Sequence, residues 1–340
     1  MTENVSGGSL SIVSVPIGNL GDISERAKMI LSTANIIACE DTRVIGKLLD
    51  KLKIEKRGTF ISYREENEKM LAEQLVSEIQ SGKTIALVSD AGTPAISDPG
   101  FRLISACRKA NVAITALPGA CAIINALASE RAKMILSTAN IIACEDTRVI
   151  GKLLDKLKIE KRGTFISYRE ENEKMLAEQL VSEIQSGKTI ALVSDAGTPA
   201  ISDPGFRLIS ACRKANVAIT ALPGACAIIN ALALSGLPTD SFLYQGFLPP
   251  KTSARRKFFE THSDLPYTII IYESCHRIEK CIGDIVSTLG NDRIISVCRE
   301  MTKLHETVFT GTAKSVLEQI SKTSKKGEFV ILIAKQKFTL

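Results

Sequence analysis

Four segments of this chain combine glycine, proline and short polar side chains where an apolar run stops: PIGNLGD at residues 16–22, ACEDTR at 38–43, SDAGTPAISDPG at 89–100 and LPGACA at 117–122. The last three recur at 143–148, 194–205 and 222–227. In an open parallel sheet such loops lie beyond the carboxyl ends of the strands, where backbone N–H groups and small side chains meet ligands. SDAGTPAISDPG sets Gly92, Pro94, Pro99 and Gly100 among Asp90 and Asp98. That composition suits a fixed backbone lying close to a ligand, with carboxylates for hydroxyl or amine groups, and it equally suits an elaborate strand-to-helix turn. None of the four is GxGxxG followed by an acidic residue, and none is GxxxxGK[ST], so dinucleotide and P-loop chemistry lack their residues.

The elements that must position these loops follow from periodicity. The apolar, β-branched run 10–15 is a strand that feeds PIGNLGD, and Asp22 followed by Glu25 reads as a capping box opening a helix. Strands are expected at 35–39, 59–63, 84–89 and 112–117, with helices from Asp41, over 65–81 and over 99–110. Short apolar strands alternating with amphipathic helices predict a parallel α/β sheet covered on both faces. After LSGLPTD (234–240), expected strands at 242–247, 267–272, 294–298 and 329–334 and helices at 254–261, 276–288 and 313–321 predict a second α/β domain with mixed strand directions.

The chain has 340 residues, but residues 24–128 recur unchanged as 129–233. A unit of 105 residues without divergence is unlike the 20–50-residue units of a solenoid, roughly speaking, and reads as one domain body written twice. The expected division is therefore 1–128 as a complete N-terminal domain, 129–233 as its duplicated body and 234–340 as the C-terminal domain. Only one copy of the strand 10–15 exists. Copy 1 is contiguous with it and is expected to close the sheet, leaving copy 2 surplus; across the junction, 121–138 is expected to run as one helix.

The net charge of +6 leans toward the C-terminal third, and 24% of residues are charged against 45% hydrophobic. This balance excludes disorder and permits a polyanionic partner without requiring one. The nine cysteines include no CxxC pair and the three histidines are scattered, so reduced thiols and no metal site are expected. No apolar stretch approaches the ~20 residues of a membrane-spanning helix, and the first ten residues lack a basic start followed by an apolar run. A cytoplasmic protein is expected.

Taken in order, PIGNLGDI, ACEDTR, SDAGTPAISDPG, LPG, SGLPTD, GFLPPK (246–251), YESCHR (272–277), REMTKLHE (299–306) and the pair Gly327 and Glu328 closely resemble the small-subunit ribosomal RNA cytidine 2′-O-methyltransferase family, within the tetrapyrrole-methylase superfamily. The resemblance covers nearly the whole chain apart from the extra copy. It implies a tetrapyrrole-methylase-like α/β fold of two domains, S-adenosylmethionine as cofactor in the cleft between them, and a homodimer acting on small-subunit rRNA. Carried over by residue, the cofactor wall comprises Pro16 and Gly18, then Asp90, Ala91, Gly92, Thr93 and Pro94, then Leu117, Pro118, Gly119 and Cys121. Asp195, Ala196, Gly197, Thr198 and Pro199 with Leu222, Pro223, Gly224 and Cys226 are the second copy's equivalents. Tyr272 and Glu273 are expected to face it from the C-terminal domain. The family usually shows YESPHR, so Cys275 departs from its pattern.

Methyl transfer to a ribose hydroxyl requires a base and a cation that holds phosphate. The candidates are Glu40 and Asp41 with Arg43, their copies Glu145, Asp146 and Arg148, and the set Arg299, Glu300, Lys303, His305 and Glu306. A helix N-terminus explains the first set equally, and a solvated charged face the last. In KTSARRK, Lys251, Arg255, Arg256 and Lys257 are candidates for phosphate contacts, and Tyr63 beside Arg64 for base stacking. Two rival functions are a small-molecule methylase of the same superfamily and a non-catalytic RNA-binding or assembly protein whose cleft the duplication disrupts.

Overall fold

The computed structural model describes residues 7–96, 98–119 and 130–340. It divides into two units. The first comprises residues 1–15, 25–118 and 227–340, and the second residues 16–24 and 119–226.

In the first unit the N-terminal part runs β1 (Ser9–Val13), α1 (Glu25–Thr33), β2 (Ile36–Cys39), α2 (Thr42–Lys51), β3 (Thr59–Ser62), α3 (Glu68–Gln80), β4 (Thr84–Val88), α4 (Phe101–Lys109) and β5 (Ala113–Leu117). The strands form one sheet in the order β3-β2-β4-β1-β5, and every pairing is parallel. The central strands β2 and β4 are buried on both faces, as their near-continuous runs IIAC and TIALV require, while the edge strand β3 is half-buried. Asp22 is not a cap: it closes a short 3-10 turn, Leu20–Asp22, whose cap is Asn19, and Ser24 is the residue that precedes α1.

The second unit repeats part of this order with α5 (Glu130–Thr138), β6 (Ile141–Cys144), α6 (Thr147–Lys156), β7 (Thr164–Ser167), α7 (Glu173–Gln185), β8 (Ile190–Val193) and α8 (Phe206–Lys214). Its sheet has three strands, β7-β6-β8. Residues 218–222 read AITAL, as β5 does, yet form no strand. The reason is pairing: β5 is an edge strand bonded only to β1, and the second copy has no β1 of its own. An unpaired five-residue segment has no ladder to offset its ordering entropy. The expected helix 121–138 lies partly outside the described residues, which contain its second half as α5.

The chain returns to the first unit through α9 (Ala227–Ser235), all of whose residues from Ile228 to Ser235 are buried. Although α9 belongs to the second copy in sequence, it packs against α4 and β5 of the first. Arg108 of α4 donates twice to the Leu234 carbonyl, at 2.9 and 2.8 Å, which satisfies a helix end that would otherwise be buried without a partner.

The remainder continues as β9 (Phe242–Phe247), α10 (Thr252–Thr261), β10 (Thr268–Ser274), α11 (Ile278–Leu289), β11 (Ile294–Arg299), β12 (Thr307–Thr312), α12 (Ala313–Ser321) and β13 (Glu328–Ile333). The sheet order is β12-β11-β13-β10-β9, parallel only between β9 and β10. One sheet face carries α10, α11 and α12 over a core that includes Phe259, Ile271, Ile282 and Phe329. α9 packs with β11 and β13 of this sheet. The strand β12 has no counterpart in the sequence expectation. It closes a hairpin with β11 and is half-buried throughout, so its alternation is weak.

Candidate functional site

β1 organises the loops at the carboxyl ends of the first sheet. Just beyond it, Val15 N–H donates to the Gly92 carbonyl at 2.8 Å and Gly92 N–H donates back at 3.1 Å. The Ser14 hydroxyl lies 2.9 Å from that of Thr93 and donates to the Leu117 carbonyl at 3.3 Å. The loops carrying Asp90 to Pro94 and Leu117 to Pro118 are thus tied to one strand end, with Gly92, Thr93 and Pro94 buried. Asp90 accepts from the Asp41 N–H at 3.1 Å, which draws ACEDTR to the same edge.

A residue the sequence reading missed holds this wall from behind. Buried Glu68, at the start of α3, accepts from the Gly100 and Arg102 N–H groups, both at 2.9 Å. It thereby caps α4, whose N-cap Gly100 has no side chain to do so. A Cβ at Gly100 would stand 2.8 Å from Leu87, so the backbone passes here only as glycine. The signal was present in the spacing, since Glu68 falls on the same helical stripe as Leu71, Leu75 and Ile79.

The two carboxylates of ACEDTR have different roles. Asp41 caps α2 through the Arg43 N–H at 2.8 Å and pairs with the exposed Arg43 guanidinium at 2.7 Å, which holds its carboxyl far below the usual range. Glu40 is half-buried and is not spent on a cap. Burial, then the charges of Asp90 and Asp98, push the Glu40 carboxyl above its ordinary value, against the pull of Arg64. Asp98 is likewise raised, by burial first and then by Asp90. The strand end therefore carries a negative field in which the Glu40 and Asp98 carboxyls are both raised. Tyr63 is buried, so it offers no stacking surface, whereas Arg64 donates to the Glu40 carbonyl at 3.0 Å.

The second copy keeps part of this arrangement. Glu173 caps α8 through Gly205 and Arg207, and burial with Asp195 raises Glu145. Asp146 and Arg148 form the same cap and pair. What differs is the support that Ser14 and Val15 give the first copy. Thr198 donates instead to the Ala225 carbonyl at 3.1 Å, Gly197 is exposed where Gly92 is buried, and Pro199 is only half-buried, while Ala196 is exposed as Ala91 is. Leu222, Pro223 and Gly224 lie in an irregular segment ending at buried Cys226. Pro16, Gly18 and Gly119 also belong to the second unit. Cys121 lies outside the described residues.

In the C-terminal sheet, Tyr272 and Glu273 stand on opposite faces of β10, so they do not face one ligand together. Glu273 is buried, pairs with Arg277 at 2.8 Å and accepts from the Ser274 N–H at 2.7 Å. Tyr272 stacks edge-on with Tyr244 at 5.4 Å and lies 5.6 Å from Phe247, which is exposed. REMTKLHE is a tied turn whose middle, Thr302 to His305, is exposed. Glu300 accepts from the Glu328 N–H at 3.0 Å, and Lys303 reaches Glu300 and Glu328 at 3.0 and 2.8 Å. Those bonds hold the Glu300 carboxyl below its ordinary value. A Cβ at Gly327 would stand 2.5 Å from Glu300, which accounts for the Gly327–Glu328 pair. Arg299 donates to the Lys326 carbonyl at 2.7 Å.

The basic run KTSARRK needs a correction. Arg255 is 1% exposed; it donates to Asp284 at 2.7 and 3.0 Å, to the Pro250 carbonyl at 2.6 Å and to the Thr252 hydroxyl at 3.1 Å. It is a core ion pair and is not available to a phosphate. Arg256 also binds Asp284, at 2.9 Å, but stays half-exposed, and Lys251 and Lys257 are exposed. Among the described residues no group of three or more His, Cys, Asp or Glu could hold a metal ion, and no helix is long and apolar enough to cross a membrane.

The model of one family, the Tetrapyrrole (Corrin/Porphyrin) Methylases, matches residues 9–130 and 126–317, once for each copy. The chain belongs to that family, and it is an S-adenosylmethionine-dependent methyltransferase. Among its relatives, the ribosomal RNA small subunit methyltransferase I of Xylella fastidiosa is 44% identical over 207 residues, covering 60% of this chain and 75% of that protein. The protein of the same name from Escherichia coli O157:H7 is 41% identical over 207 residues, with 60% and 72% covered. Among solved structures, the methyltransferase CobJ is 16% identical with a TM-score of 0.46, over 63% of this chain and 90% of that one.

Proposed function

We propose that the chain methylates small-subunit ribosomal RNA, transferring a methyl group to the ribose 2′-hydroxyl of a cytidine in the decoding region. The observation that carries this reading is the 44% and 41% identity with proteins named for small-subunit rRNA methylation. The proposed site is the first copy's, because Ser14, Val15 and Glu68 fix its loops. The negative field of Glu40, Asp90 and Asp98 suits a cofactor that carries an ammonium and a sulfonium group. When bound, S-adenosylmethionine supplies a methyl carbon on positively charged sulfur.

The raised Glu40 carboxyl is the proposed base that takes the hydroxyl proton, since Asp41 is committed to its cap and Glu300 to Lys303 and Glu328. Asp90 to Pro94 and Leu117 to Pro118 form the cofactor wall in this reading. Lys251, Lys257 and, in part, Arg256 hold RNA phosphates. The protein acts as a homodimer, in the cytoplasm, on the assembled small subunit.

A methyl-transfer assay with labelled S-adenosylmethionine on naked rRNA and on assembled subunits tests this, followed by mapping of the modified nucleotide. Label on a cytidine 2′-oxygen is expected, with subunits the better substrate. Label on a base, or on a tetrapyrrole but not on RNA, overturns the reading.

A further inference from the structure

The segments 84–88 and 189–193 share one sequence, TIALV, and have different neighbours. β4 pairs with β2 on one side and with β1 on the other, in the register Ser9↔Thr84 through Val13↔Val88. β8 pairs with β6, and among the described residues no strand lies along its second edge. Burial reports the same difference: Ile85 and Leu87 are buried, whereas Ile190 and Leu192 are half-buried. The irregular segment 218–222 is the further consequence, because the strand it would pair with is missing.

We propose that the open edge of β8 is a strand-acceptor site, and that its occupant is the segment Ser9–Val13 of a second copy of this chain, entering parallel to β8 from Ser9↔Thr189 to Val13↔Val193. The segment is engaged between β4 and β5 in each chain, so donation to another chain's β8 draws it out of the donor's own first sheet. The fit follows from identity. Every side chain that receives Leu10, Ile12 and Val13 on β4 is present on β8, and the arriving strand restores an edge for 218–222. Each chain has two acceptor edges and one donor, so exchange among chains always leaves an edge unfilled. Reciprocal exchange closes as a dimer that leaves both first-copy edges open, whereas one-way exchange propagates as an open series, and a parallel apolar edge of this kind invites either.

The probe is a synthetic peptide of residues 7–18, fluorescent at its N-terminus and carrying a photo-crosslinker in place of Ser11, added to the full chain. Leu192→Val gives the second copy a distinct mass, which separates crosslinks there from crosslinks to 84–88. The expected result is one peptide per chain, crosslinked within 189–193, with binding at least tenfold weaker in Leu192→Lys. The peptide should also dissolve assemblies that the chain forms as its concentration rises. A peptide bearing Leu10→Asp and Ile12→Asp should not bind, a comparison that leaves the protein unaltered. Absence of binding, equal binding of the Asp-substituted peptide, or crosslinks confined to 84–88 overturn the site. Self-association that the peptide leaves unchanged overturns the second copy as its occupant.

Discussion

Arg255 and Arg256 are neighbours in a basic run, yet their replacement should have opposite signatures. The Arg255 and Asp284 side chains are 2% and 4% exposed, and the pair is closed by two bonds from the guanidinium to one carboxylate oxygen. Arg255→Met leaves Asp284 buried with only the half-exposed Arg256 and leaves the Pro250 carbonyl without its donor. Removing one partner of a buried pair costs about 3–5 kcal/mol. At roughly 2–4 °C per kcal/mol for a body of this size, melting should fall by about 6–20 °C. Replacing both partners, as Arg255→Met with Asp284→Leu, should recover most of that loss, because no buried charge is then unpaired. Calorimetry supplies the melting points. RNA affinity measured against salt supplies the second axis: neutralising Lys251 and Lys257 should lower the slope of log affinity on log salt by about 1.4, at ~0.7 per phosphate contact for single strands, with no change in melting. If Arg255→Met melts within about 2 °C of the parent and flattens the salt slope, the ion pair is not structural and the reasoning fails.

Glu40→Gln should reduce methyl transfer by about 10²–10⁴ while Glu145→Gln leaves it unchanged; the pH profile of kcat/KM should rise through a carboxyl value above the ordinary one. A raised folded value means that Glu40 contributes stability below its unfolded value and loses it as pH climbs through the folded one, so Glu40→Gln should be no less stable than the parent at neutral pH. Glu68→Ala strips the buried Gly100 N–H and the part-buried Arg102 N–H of their acceptor and should cost ~1–3 kcal/mol, and it should raise the KM for S-adenosylmethionine through the loop that Glu68 fixes, as read by initial rates.

Much of this was legible in the sequence because it rests on local patterns. Apolar runs such as 10–15 and 84–88 announce parallel strands, and Gly- and Pro-rich stretches announce the loops after them. The rest depends on partners distant in sequence. Nothing within KTSARRK distinguishes Arg255 from Arg256 except that Arg255 stands one helical turn before Phe259, on the face turned to the core. Whether AITAL becomes a strand is decided by a segment about 100 residues away, so identical residues take two conformations in one molecule. Tyr272 and Glu273 show the converse. Adjacent in a shared motif, they are separated by the alternation of the strand that carries them.

The crossing of the chain from Pro118 to Ala227 has a consequence for how the gene can be edited. Because the 105-residue copies are identical, cutting out 24–128, 119–223 or any equally long window that begins between 24 and 129 yields the same 235-residue polypeptide. A deletion therefore carries no memory of which copy was removed. Only a marked residue, placed in one copy, can report which half of the repeat holds the sheet.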